Sequence, residues 1–247
     1  MSYVVNGSGL VKSFGQHKVL NEVALQVQAG EKVVVCGPSG SGKSTLVRIL
    51  MGLETFDSGR LVVHGHDLVA KTAMPEAVQL QTGMLFQHFH LFAHLTILEN
   101  CTLAPRLVKG YSLSEANEWA MQWLERVNIQ DQADKYPIKL SGGQQQRAAI
   151  ARCLCMQPDL ILFDEPTSAL DPEMIQEVLD VMLDLASSGM SMVCVTHEMA
   201  FARRFADKML FMDQGEVVLQ ADTEAFFTQT KQPRVLDFLS SILGNAC

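Results

Sequence analysis

The chain has 247 residues, 48% of them hydrophobic and 19% charged, with 19 Lys+Arg against 27 Asp+Glu for a formal charge of −8. This is enough apolar material to bury one sizeable core with a lobe attached. No run approaches the roughly 18 apolar residues of a membrane-spanning helix, Met1 to Leu10 carries neither a basic leader nor an apolar signal core, and the acidic balance argues against a general nucleic-acid binder.

From Tyr3 to Val35, short β-rich runs (Val23 to Val27, Lys32 to Val35) alternate with turn signals at Asn6-Gly7, Phe14-Gly15 and Ala29-Gly30, which predicts a β-rich front end. After Gly42 the spacing of Leu46, Ile49 and Leu50 predicts a helix closing at Gly52, and Arg60 to His64 predicts another strand. Leu95 to about Gln157 is almost wholly helical in pattern. Within it, Ser112 and Glu115 form a capping box, and Trp119, Ala120, Trp123, Leu124 and Val127 share one helix face as core. Asp171 as N-cap and Pro172 at the first helical position open a further helix that stops at Gly189.

Apolar strands at Leu160 to Phe163, Met192 to Val195 and Lys208 to Met212 alternate with helices, which predicts a parallel sheet covered on both faces. The helical stretch interrupts that alternation as an inserted lobe. The six cysteines (Cys36, Cys101, Cys153, Cys155, Cys194 and Cys247) contain no C-x-x-C pair and are expected as reduced, mostly buried thiols. His88, His90 and His94 have no accompanying Cys or acidic ligands, and no structural metal is expected there.

Three segments carry chemistry. Gly37-Pro38-Ser39-Gly40-Ser41-Gly42-Lys43-Ser44-Thr45 fits G-x-x-x-x-G-K-[ST] between a strand and a helix. Its glycines let backbone N–H groups turn inward on phosphate oxygens at a helix N-terminus, Lys43 supplies charge, and Ser44 can bind Mg²⁺. Such a cradle alone also fits a small-molecule kinase or a GTPase.

Leu160 to Phe163 ends in Asp164-Glu165, where Asp164 can hold Mg²⁺ and Glu165 is free to orient or polarise an attacking water. Leu140-Ser141-Gly142-Gly143-Gln144-Gln145-Gln146-Arg147 opens a helix. Ser141 and Gln144 satisfy a capping box, and two glycines there, each costing about 1 kcal/mol of helix stability, imply that another group approaches the backbone. This is a second anion site at a helix N-terminus.

Gly37 to Thr45, Leu140 to Arg147, Leu160 to Asp171 and Val195 to Glu198 resemble, in order, the Walker A, signature, Walker B with D-loop, and H-loop motifs of ATP-binding cassette ATPases. The resemblance implies an α/β fold: a RecA-like P-loop NTPase core with an N-terminal antiparallel β subdomain and an inserted α-helical subdomain. One domain would span 1–247, with the lobe at 88–157. It implies a head-to-tail dimer in which Ser141, Gly142, Gly143 and Gln144 of one copy close on ATP held by the other. It further implies Gln87 as the Q-loop residue sensing Mg²⁺ and γ-phosphate, His197 as the switch histidine, Asp171 as the D-loop aspartate, and Phe14 as the ring that stacks on adenine. From the residues alone, a simple core anchor is the alternative reading of Phe14.

A finer resemblance is to the ATPase subunits of polar amino acid importers. It rests on Met51 to Glu54 with Asp57 to Gly59, Phe86 to Phe92, Leu95 to Asn100, Thr102 to Gly110, Gln144 to Gln146, Thr167 to Met174 and Thr196 to Met199. It implies ATP and Mg²⁺ as cofactors and a peripheral place on the cytoplasmic face of the inner membrane. Its partners would be a second copy, permease subunits docking near Gln87 and, indirectly, an extracytoplasmic solute-binding protein. The chain end at Cys247 leaves no room for a long regulatory domain. Ala93 departs from the usual Pro, and Leu219-Gln220-Ala221-Asp222 replaces a more usual Glu-Glu-Gly turn. An exporter or lipid-trafficking ATPase, or a non-transport cassette protein, is the alternative reading.

Overall fold

The computed structural model describes residues 2–243. Cys247 lies outside the described residues. Two long strands, β1 (Tyr3–Phe14) and β2 (His17–Gln28), pair as a hairpin and lead into β3 (Lys32–Cys36) and α1 (Lys43–Met51). Strands β4 (Ser58–Val63) and β5 (His66–Leu68), a short helix α2 (Glu76–Gln79) and β6 (Thr82–Leu85) follow.

Three helices then come in succession: α3 (Ile97–Val108), α4 (Leu113–Arg126) and α5 (Gly142–Leu154). The chain re-enters alternation with β7 (Leu160–Asp164), α6 (Pro172–Ser187), β8 (Ser191–Val195), α7 (Met199–Phe205) and β9 (Lys208–Asp213). It closes with β10 (Glu216–Asp222), α8 (Thr223–Thr228) and α9 (Pro233–Leu243).

Two sheets form. A four-stranded antiparallel sheet has the order β2-β1-β4-β5, and a six-stranded sheet has the order β10-β9-β3-β8-β7-β6. In the larger sheet β9, β3, β8, β7 and β6 are parallel and β10 is antiparallel to β9. Alternate residues along each parallel strand feed two different cores, as the two-residue strand period requires. Val33, Val35, Leu160, Leu162, Val193 and Val195 pack with α1 and the antiparallel sheet. Val34, Cys36, Ile161, Phe163, Met192 and Cys194 share a core with residues of the four helices that follow β6 or β7 in the chain, from Ile97 to Ala186.

Two expectations fail here. No turn forms at Asn6-Gly7: β1 runs straight through, with Asn6 opposite Gln26 and Val62, and Gly7 opposite Leu25 and Leu61. A ladder on both sides outweighs a local turn preference. Leu219 to Asp222 are not a turn either, since they continue β10 against Phe211 to Lys208. The reversal comes earlier, at Gln214-Gly215, where both residues have positive φ (49° and 82°) as a two-residue hairpin turn of the primed type demands.

Helices α3, α4 and α5 start where side chains cap them. Thr96 with Glu99, Ser112 with Glu115 and Ser141 with Gln144 each form a reciprocal capping box, and an N-cap contributes about 0.5–2 kcal/mol. Trp119 and Trp123 pack edge to face at 5.7 Å, partly buried against the core, with Trp119 Nε1 donating to the Cys155 carbonyl. Cys36, Cys101, Cys155 and Cys194 are buried thiols and Cys153 is half-buried. Burial pushes the Cys36 thiol up to about 12.

Candidate nucleotide site

The order β3-β8-β7-β6 sets the carboxyl ends of four parallel strands side by side. The loop after β3 and the first turn of α1 carry Gly37 to Ser44, the loop after β8 carries His197, the one after β7 carries Glu165, and the bend after β6 carries Gln87. Ligands of open parallel sheets gather at that edge.

The glycine loop is tightly built. Gly37 has φ +142°, and a Cβ there would stand 2.0 Å from the Met212 carbonyl oxygen, so β9 forms the back wall of the loop. Gly42, at φ +98°, is the N-cap of α1 and supplies no side-chain cap, which leaves the helix's first amides open to an anion. The buried Ser41 hydroxyl has no partner.

Lys43 is 4% exposed, and its Nζ donates to the carbonyls of Gly37 at 2.9 Å and Pro38 at 2.8 Å. An ammonium has three donors, so one remains. Burial lowers its pKa, opposed by the charges of Glu165, Cys36 and Asp164. A tightly turned glycine loop, a helix start with no side-chain cap and a buried cation fit a nucleotide phosphate chain.

Ser44 Oγ donates to Asp164 Oδ1 at 2.8 Å. Asp164 is 8% exposed; burial pushes its carboxyl above the usual range, and the Ser44 bond partly offsets this. A hydroxyl and a buried carboxylate in contact are oxygen donors of the kind Mg²⁺ takes. Next in the chain, Glu165 adopts φ +49°, sparsely populated for a residue with a side chain, and its N–H donates to the Val195 carbonyl. Its Oε1 lies 3.1 Å from His197 Nε2.

The other expected site residues stand outside these contacts. Gln87 is exposed in its bend. Phe14 is 50% exposed at the end of β1, with Lys12 Nζ 4.9 Å from its ring centroid, so the core-anchor reading does not hold. Asp171 is the N-cap of α6, as expected, but its side chain makes no capping bond.

Ser141 caps α5 by accepting from Gln144 N–H, and Gln144 Oε1 accepts from Ser141 N–H. The groups approaching the two glycines belong to the same chain. A Cβ on Gly142 would meet Leu170 at 3.2 Å and Phe89 at 3.7 Å, and one on Gly143 would meet Met174 at 3.0 Å. The Gly143 N–H points to Met174 Sδ at 3.4 Å. In the sequence, Met174 and Met212 stand only as part of a motif and a strand, with no site role: an apolar residue that packs against backbone has no local signature.

A glycine loop between strand and helix, with its serine bonded to a buried acid two strands away, defines a phosphate-binding-loop nucleotide hydrolase domain. The family model described as "ABC transporter" matches residues 20–168. The chain is 55% identical over 232 residues to the uncharacterized amino-acid ABC transporter ATP-binding protein YhdZ of Escherichia coli (strain K12), covering 94% of this chain and 92% of that protein. It is 55% identical to the general L-amino acid transport ATP-binding protein AapP of Rhizobium johnstonii (94% and 90% covered) and 52% identical to the glutamate/aspartate import ATP-binding protein GltL of E. coli (94% and 96%).

Among solved structures it resembles the dimeric post-hydrolysis state of the ATP-binding cassette MJ0796 bound to ADP and Pi, with TM-score 0.77, 32% identity and coverage of 89% of this chain and 98% of that one. A nucleotide-free cassette at TM-score 0.82 and 24% identity, covering 96% and 98%, shares the fold. The chain belongs to the ABC transporter ATP-binding family, and it is an ATPase.

Proposed function

We propose that this ATPase drives uptake of a polar amino acid through a membrane permease, working as a pair of identical subunits that sandwich ATP between them. Relatives at 52–55% identity over 94% of the chain, whose names specify amino-acid transport, carry the importer reading. The proximity of Glu165 to His197 carries the hydrolytic one.

In this reading Gly37 to Thr45 bind the phosphates, and the remaining Lys43 proton reaches a phosphate oxygen. Ser44 and Asp164 hold Mg²⁺, with Gln87 joining them; the ion, when bound, neutralises phosphate charge. Glu165 accepts the proton of the attacking water, and His197 holds its carboxylate in place. Phe14 stacks on adenine. Ser141, Gly142, Gly143 and Gln144 of the second copy close on the same nucleotide, with Asp171 beside them.

Residues 88–157 act as the lobe that carries this second loop. The permease docks beside Gln87, in a cavity of about 430 Å³ whose lining includes Met84, His90, Phe92, Arg152 and Cys153. A solute-binding protein outside the membrane acts through that permease. Among the described residues no helix is long and apolar enough to cross a membrane, which suits a peripheral subunit on the cytoplasmic face.

Purification with the native membrane partner followed by ATPase assay tests the proposal. The expected result is ATP turnover stimulated by one polar amino acid presented with its binding protein. Recovery only with an export-type permease overturns the import reading.

A further inference from the structure

The segment between Gln87 and α3 has no ladder or helix to satisfy its backbone, so its carbonyls need other partners. Arg152, in the last turn of α5, provides them: Nη1 donates to the His90 carbonyl at 2.7 Å and Nη2 is 3.4 Å from the Phe89 carbonyl. The guanidinium carbon lies 5.6 Å from the Phe92 ring centroid. His90 is held at φ +48°, a conformation that persists only where its surroundings enforce it. From the other side, Asn100 accepts from Phe92 N–H at 2.7 Å and donates to the Phe92, Leu95 and Thr96 carbonyls.

The same segment touches α5 again at the opposite end. The tip of the Phe89 ring lies 3.7 Å from where a Cβ of Gly142 would stand. Gly142 and Arg152 are separated by about 15 Å along the helix at about 1.5 Å per residue. One loop residue thus contacts the first turn of α5 through its ring and the last turn through its carbonyl.

We propose that Phe89 and Arg152 form a two-point brace that makes the loop after Gln87 and helix α5 a single rigid body, so that the loop's position sets where Ser141 to Gly143 stand. Arg152 is a positioning residue here, not a catalytic one. Arginine suits the task because its planar fork offers two N–H groups at fixed separation to the Phe89 and His90 carbonyls while its plane lies near the Phe92 ring, a rigid combination that a lysine ammonium on a flexible stem does not reproduce. His90, Phe92 and Arg152 also line the 430 Å³ cavity, so a group seated there bears on the brace and through it on the second anion loop.

The proposal rests on the sandwich reading, and the test separates the two. In a Glu165→Gln background, the ATP concentration giving half-maximal pairing is read by light scattering, and affinity for a fluorescent ADP analogue is read on the monomer. Arg152→Met is expected to raise the pairing midpoint about tenfold while leaving ADP affinity within about twofold, since two hydrogen bonds from a charged group are lost away from the cradle. Arg152→Lys falls between. Phe89→Ala shifts the midpoint the same way, and the double variant Phe89→Ala/Arg152→Met shifts it no further than the larger single.

Unchanged midpoints in Arg152→Met and Phe89→Ala, or a double variant whose shift is the product of the singles, overturn the brace. If Arg152→Met loses ADP binding through misfolding, Arg152→Lys decides: a shifted midpoint supports the brace and an unshifted one overturns it. If Glu165→Gln alone does not pair with ATP, the sandwich reading fails. The brace is then judged by amide exchange in the monomer: joint acceleration of residues 86–92 and 141–145 in Arg152→Lys supports it, and acceleration of residues 86–92 alone overturns it.

Discussion

His197 Nε2 stands 3.1 Å from Glu165 Oε1, although 32 residues separate them in the chain. Their strands β8 and β7 are hydrogen-bonded neighbours, with Asp164 opposite Val195. The pair places an imidazole against the one carboxylate of the Asp164-Glu165 dipeptide that is not occupied by Ser44.

Replacing Glu165 by Gln keeps size and hydrogen bonding but removes the proton acceptor. The expected outcome is ATP binding near the parent value with hydrolysis slowed by about 10²–10⁴-fold, the usual contribution of a general base, and accumulation of an ATP-bound pair. Phosphate release and gel filtration measure both. Unchanged turnover removes Glu165 from catalysis.

Mixing Ser141→Arg subunits with Lys43→Ala subunits leaves one intact composite site if ATP is held between two copies. Pairing with ATP is expected in the mixture and in neither variant alone, as read by light scattering. An inert mixture counts against cross-subunit assembly.

Gly37 and Gly40 both have positive φ, but only Gly37 faces a wall, with Met212 O 2.0 Å from the added Cβ against open space around Gly40. Gly40→Ala is expected to cost about 1–2 kcal/mol of nucleotide-free stability from backbone strain. Gly37→Ala adds displacement of β9 and is expected to exceed about 4 kcal/mol. Equal thermal shifts in the two variants disprove the wall.

Gln146 is fully buried on α5, and neither amide atom has a partner. Gln146→Met conserves volume and removes the uncompensated polar group, with an expected gain of about 1–3 kcal/mol. At about 2–4 °C per kcal/mol for this size, calorimetry resolves it. A lowered midpoint means that the amide is satisfied in solution.

His64, at φ +49°, joins the two sheets through Nε2 and Thr82 Oγ1 at 3.0 Å. Burial lowers its pKa, the Asp159 charge opposes this, and His66 adds to it. With the folded value below the unfolded one near 6.5, the unfolded chain binds the proton first. Stability from this site is therefore present above about pH 6.5 and is lost as pH falls toward the folded value. Denaturant midpoints at successive pH values check it: the parent declines more steeply over this window than His64→Gln, and parallel slopes remove His64 from the acid response.

Local features were legible in sequence because their causes are local. The glycine loop, the capping boxes at Ser112 and Ser141, and the two-residue alternation of β3, β7 and β8 each depend on a few neighbouring residues. Asn6-Gly7 and Leu219 to Asp222 misled because the strands that pair with them are remote. Phe14 left a core anchor open as the alternative to a stacking ring, and only packing left its ring half exposed.

What the sequence determined alone was the inventory: a phosphate cradle, an acidic strand end, a second capped and glycine-opened helix, and the family they resemble. Tertiary structure decided which of these meet. The parallel sheet runs β9-β3-β8-β7-β6, out of chain order, with helices packed on both of its faces. That ordering sets Ser44 against Asp164 and Glu165 against His197. It also left the two glycines of α5 to be closed by Phe89, Leu170 and Met174, contacts made by shape rather than by any local pattern.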